Sequence, residues 1–394
     1  MILAAGTFAQ ASFAALSVGL PALAPALRAD YGLTLGETGV VLGAVGIGML
    51  FTLLPWGLVA DRTSERAVIA VGLGAAGIVL AAAATTDGYG TVTAALVAAG
   101  ALGASVNGAS GRAVMAWFDS SELGLALGIR QTAIPIGGAV AAAGLPWLAS
   151  LEGTGLAFLV LGCGCIVGAA VAAVFMRQAP LGTAADTDIA RPARDARLWR
   201  LAGGSALYLT AQIAITGFVV LFLHEHRDVS ARASAGLLAG INVLGIGARI
   251  GAGRWSDRVH ARMRPLRLVG LALTAATALV AAVVDAPLAV LVPALVVAGV
   301  AGLAWNGLAY AAAAETAGSA RSGAALGFQQ TLLGVLVAIV PPAFAAVAGV
   351  SWRLAFALAA VGPLIGVAAL ARVDEPSRRF ARSPEMSAIP PAAR

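Results

Sequence analysis

Apolar runs of about twenty residues recur along the whole chain, separated only by short polar breaks. A run of that length is what a helix needs to cross about 30 Å of hydrocarbon. In lipid every backbone donor and acceptor must be satisfied within the segment, so such runs are helical. Twelve runs are expected, near 4–26, 36–58, 67–86, 91–115, 122–148, 154–176, 199–222, 231–253, 267–285, 288–312, 322–348 and 353–371. The reading is an all-α membrane protein whose main contact is the lipid bilayer. Only 11% of the 394 residues are charged, against roughly 25% in a soluble domain. The first run is long enough to span and lacks a basic leader segment, so a cleaved leader is not expected.

The charge pattern gives an orientation. All 25 basic residues are arginine. Assigned to alternate breaks, 18 fall on the side of both termini, 4 on the other side and 3 inside apolar runs. Positive charge stays inside, which places both termini in the cytoplasm of a multi-pass protein of the cell membrane. A pI near 10.3 therefore reflects topology, and nucleic acid is not expected as a partner.

The chain also repeats itself. "NGASGRAVMAWFDSSELGLALGIRQT" (107–132) and "NGLAYAAAAETAGSARSGAALGFQQT" (306–331) align without a gap at an offset of 199. Asn107 meets Asn306, Gln131 meets Gln330 and Thr132 meets Thr331. "GLVADR" (57–62) meets "GRWSDR" (253–258), and Gln10 and Gln212 share an Ala-Gln in the first helix of each half. Two parallel six-helix repeats are a transporter plan. The expected units are 1–176 and 199–372, a linker at 177–198 and a tail at 373–394.

Several features exclude other functions. Cys163 and Cys165 share one apolar run and suit neither metal binding nor a disulfide framework. His224, His226 and His260 are expected in loops, with no nucleophile–histidine–acid set, so the chain is not expected to be an enzyme. No metal site, nucleotide motif or other cofactor is expected.

This pattern resembles the major facilitator superfamily over residues 1–372. The family's G-x-L-x-D-R-x-G-R-R/K loop between its second and third helices corresponds to Gly57–Arg66; Gly57, Asp61, Arg62 and Arg66 fit, while Val59 and Ser64 depart. The second copy keeps Gly253, Asp257 and Arg258. The resemblance implies a gating set of Asp61, Arg62, Arg66, Asp257, Arg258 and Arg112, with Asp61 and Asp257 bonding neighbouring helix ends. The segment 132–138 lacks the Gly before Pro135 that the antiporter motif has. The resemblance also implies that the first, fourth, seventh and tenth helices line a cavity.

A charge within the bilayer is costly and marks function by default. Arg130 and Arg249 lie within apolar runs, and no acidic residue is expected at mid-depth to neutralise them. A guanidinium without a counter-ion favours an anion, and its bidentate geometry suits carboxylate or phosphate. The candidate substrate-binding residues are Arg130, Arg249, Gln131, Asn107, Gln212, Asn306, Gln330, Gln10 and Trp305. For each Asn or Gln the competing reading is an interhelical hydrogen bond. The expected function is secondary transport of a small carboxylate-like anion by a monomer. Efflux of hydrophobic compounds is the alternative, and coupling to a proton or a counter-anion stays open.

Overall fold

The computed structural model describes residues 2–107, 109–110, 123–176, 195–317 and 322–375. Almost all of them are helical, and no strand occurs among them. Eleven stretches are long and apolar enough to cross a membrane. One of them belongs to a 53-residue helix, Leu123–Phe175, whose backbone leaves helical geometry at Glu152 and Gly153. Dividing it there gives twelve membrane helices among the described residues.

In chain order these are α1 (Ile2–Tyr31), α2 (Leu35–Arg62), α3 (Glu65–Ala83), α4 (Tyr89–Asn107), α5 (123–151) and α6 (154–175). The second half has α7 (Ala196–His226), α8 (Ala231–Arg258), α9 (Met263–Ala282), α10 (Leu288–Ala317), α11 (Ser322–Ala348) and α12 (Trp352–Leu370). An even number of crossings brings both termini to one end, the terminal end. The other end is called distal.

Local chemistry sets the turns. α1 runs five residues beyond its expected end, through a 3-10 turn at Leu20–Leu23 and Ala24–Tyr31, and stops at Gly32, whose φ of 63° is left-handed. Only glycine adopts that conformation cheaply. Thr34 and Glu37 then form a reciprocal capping box that starts α2. At the α5–α6 break, Gly153 has φ 71°. The Asp30 carboxylate accepts the Thr154 N–H at 2.7 Å, so the end of α1 caps α6. α7 begins at Ala196, inside the expected linker, because Asp195 accepts the Arg197 N–H at 2.8 Å. His224 and His226 lie in the last turn of α7 rather than in a loop, since the helix outlasts its apolar run.

Small residues bring the helices close. Within the first half, a Cβ on Gly48 would lie 1.9 Å from the Val97 carbonyl oxygen of α4. Between the halves, a Cβ on Gly39 would lie 2.4 Å from the Ala345 Cβ, and one on Gly46 2.6 Å from Val337. Glycine is thus required along the distal part of the α2–α11 seam. Towards the terminal end the seam opens. Gly57 has nothing within 4 Å of its would-be Cβ, and Leu54 and Leu58 are 52% and 45% exposed.

The distal end is sealed by an apolar core that crosses the halves. Ala22, Ala24 and Ala142 of the first half join Phe218, Phe222, Phe344 and Phe356 of the second. The Arg28 guanidinium at the end of α1 pairs with the Glu225 carboxylate at the end of α7. The described conformation is closed distally and parted at the terminal end.

Candidate functional site

Four helix-borne polar side chains meet in the first half. Arg130 of α5 is buried. Its Nε donates to Ser110 Oγ at 2.9 Å, and its Nη2 donates to the Asn107 carbonyl at 2.7 Å and to Gln10 Oε1 at 3.3 Å. Gln10 Nε2 in turn donates to Asn107 Oδ1 at 2.8 Å. The network ties α1, α5 and the fourth-helix segment together. It consists wholly of neutral acceptors, so the positive charge of Arg130 is solvated without being neutralised.

The second half repeats the Gln–Asn bridge but not the arginine network around it. Gln212 Oε1 of α7 accepts from Asn306 Nδ2 of α10 at 3.3 Å and from Trp305 Nε1 at 2.9 Å. The Gln–Asn bridge thus recurs at the positions paired by the repeat. Gln329 stands where Arg130 stands and donates to Ser205 Oγ at 3.1 Å. Both Gln329 and Trp305 are fully buried. Trp305 packs edge-on to Tyr208 at 5.6 Å. In this conformation it holds Gln212 and presents no surface to a cargo.

Arg249 of α8 joins the halves. Its Nε donates to the Leu303 carbonyl of α10 at 3.2 Å and its Nη1 to the Gln131 carbonyl of α5 at 2.9 Å. Tyr310 of α10 lies within electrostatic reach of both arginines and of Gln131. No carboxylate pairs with Arg130 or Arg249 among the described residues. Glu37, in the first turn of α2, is engaged in the capping box with Thr34.

The structure therefore brings together Gln10, Asn107 and Arg130 in one cluster, and Gln212, Trp305 and Asn306 in another. Gln131 and Arg249 meet between them. Gln330 is half-buried one residue beyond Gln329. Ser110, Ser205 and Tyr310 were not singled out from the sequence. Helical spacing offered the signal, since Ser110 and Tyr310 lie one turn beyond Asn107 and Asn306 on the same helix faces.

The gating candidates are more scattered. Asp257 accepts from Arg262 Nη1 at 2.6 Å, and Arg262 also pairs with Glu315 at 2.9 Å. The α8–α9 turn is thereby bound to the end of α10, all within the second half. Arg66 and Arg258 are exposed. Asp61 and Arg62 close α2, but their side chains, like Arg112 altogether, lie outside the described residues.

Twelve membrane helices in two similar halves, with facing polar clusters and a seam closed at one end only, define a carrier that exposes its centre to one side at a time. The profile of the Major Facilitator Superfamily matches residues 4–341. The chain belongs to that superfamily, and it is a multi-pass membrane transporter working by alternating access. It is 34% identical over 354 residues to an uncharacterized MFS-type transporter of Mycobacterium tuberculosis (strain CDC 1551 / Oshkosh), covering 89% of this chain and 79% of that protein. In structure it resembles a bacterial homolog to the human lysosomal transporter Spinster in an inward-facing and occupied conformation, with TM-score 0.74, 16% identity and coverage of 93% and 95% of the two chains. A D-xylose–proton symporter gives TM-score 0.76 at 13% identity, covering 95% and 98%. Likenesses at such identities speak for the fold.

Proposed function

We propose that this transporter carries a small anion of carboxylate-like geometry through Arg130, Arg249, Gln131, Asn107, Gln212, Asn306, Gln330 and Gln10, with Trp305 acting through Gln212, which it holds. One observation carries the reading: two intramembrane guanidinium groups, bonded to neutral oxygens only, flank the seam between the halves. An uncompensated charge in a low-dielectric site is stabilised most by an opposite charge arriving with the cargo. Relatives in structure include carriers of a sugar and of nucleosides by their descriptions, so the fold admits neutral cargo. The arginines, not the fold, support the anion.

Residues 1–176 and 199–372 are the two moving units, joined by the 177–198 linker. Asp61, Arg62, Arg66, Asp257, Arg258 and Arg112 gate the terminal end. The arginine bias supports both termini in the cytoplasm, with the protein acting as a monomer in the cell membrane. A proton or a counter-anion balances the charge moved.

Exchange in proteoliposomes tests the proposal. A carboxylate library should contain a substrate whose uptake falls about 10–100-fold in Arg249→Gln, the cost of a lost charged hydrogen bond. Uptake of every carboxylate at wild-type rate by both Arg249→Gln and Arg130→Gln would falsify it. Wild-type protein that moves only hydrophobic dyes would replace it with the efflux reading.

A further inference from the structure

The outer face of α7 changes character along its length. From Ala214 to Leu223 every residue is buried. At the terminal end the cover given by α11 and α12 parts. A groove of about 440 Å³ opens there, lined by Arg200, Gly203, Leu207, Leu332, Leu336 and Ala369 among others. Its walls are almost wholly apolar below Arg200. From Arg200 to Leu207 it descends seven residues of helix, about 10 Å into the membrane. Gly203 has open space around its would-be Cβ, so no side chain fills the groove at this position.

The rim is basic and interfacial. Arg197 and Arg200 are exposed, and among the described residues neither pairs with a carboxylate. Trp199 is 46% exposed and stacks edge-on against Phe328 at 4.8 Å, which fixes one wall at the level where tryptophan favours the membrane surface. Apolar walls inside a bilayer call for an acyl chain, and unpaired guanidinium groups above them call for a phosphate.

We propose that this groove is a binding site for one anionic phospholipid of the leaflet at the terminal end. An acyl chain lies along Gly203 and Leu207, and the headgroup phosphate meets Arg200 and Arg197. The site is separate from the cargo path, which lies on the opposite face of α7 at Gln212. It places lipid against α11 and α12, the helices that cover α7 distally.

Native mass spectrometry and melting curves of the full chain in detergent, titrated with phosphatidylglycerol or phosphatidylcholine, test this. Wild type should bind phosphatidylglycerol about fivefold or more tighter per engaged arginine. Arg200→Gln should reduce that preference. Gly203→Leu, which fills open space and so should fold, should weaken both lipids. Equal affinity of wild type for the two lipids overturns the headgroup assignment. Unchanged binding in Gly203→Leu overturns the groove. An undiminished preference in Arg200→Gln overturns the role of Arg200.

Discussion

Arg130 and Gln329 occupy the same position in the two halves, and each donates to a serine, Arg130 to Ser110 at 2.9 Å and Gln329 to Ser205 at 3.1 Å. The positions correspond but their partners do not, since Ser110 lies on the fourth-helix segment and Ser205 on α7, and only the first-half position carries a charge. At this position the pseudo-symmetric scaffold holds a cation in the first half and a neutral amide in the second. Arg130→Lys should fold, because one ammonium can still reach Ser110 or Asn107, but it loses the planar fork. Its transport should fall while its melting temperature stays near wild type. Arg130→Leu leaves Gln10 and the Asn107 carbonyl short of a donor and should cost about 1–3 kcal/mol of stability, read by denaturation.

The glycines of α2 divide by partner. Gly39→Val collides with Ala345 and Pro341 across the seam, whereas Gly48→Val collides with Val97 and Ala101 within the first half. The first should prop the distal end open and abolish transport with little loss of expression. The second should destabilise the protein in every conformation. Labelling of a distal cysteine together with a melting curve separates the two.

Arg28 and Glu225 hold the distal ends of α1 and α7 together. Both are about one-third exposed, so their bond contributes at most about 1 kcal/mol. Arg28→Glu should raise distal accessibility several-fold and slow exchange. Adding Glu225→Arg should restore both. A double variant no better than the single would remove the pair from the gate.

Glu375 fastens the chain after α12 to the start of α9. Burial raises its carboxyl, but N–H bonds from Met263, Arg262 and Arg264 at 2.7–3.0 Å outweigh it and hold the group below its ordinary 4.5. A depressed carboxyl stabilises the fold above the unfolded value and ceases to as pH falls through the folded one. As pH falls below about 5 and on through the lowered folded value, wild type should lose melting temperature faster than Glu375→Gln. Parallel curves would contradict this.

The sequence makes the membrane helices legible because lipid allows a span few polar residues, and the repeat pairs Gln10–Asn107 with Gln212–Asn306 before any coordinates. What it hides depends on direction and state. Trp305 reads as a cavity residue, yet its ring is buried against Tyr208 because α7 and α10 approach closely. The apolar pattern ends α1 near 26, whereas the helix continues through Arg28 and Asp30, whose side chains find Glu225 and the start of α6. Polar residues at a membrane edge carry no period that distinguishes a helical turn from a loop. The Arg249 bond to Gln131 belongs to one conformation, and a sequence describes all of them at once.

That bond has an acceptor that mutation cannot easily remove. Arg249 reaches the main chain of residue 131, so any side chain there leaves the oxygen in place. A substitution at 131 can therefore change the side chain while the contact that joins α5 and α8 is kept. At this contact the chemistry of the side chain and the joining of the two halves are independent.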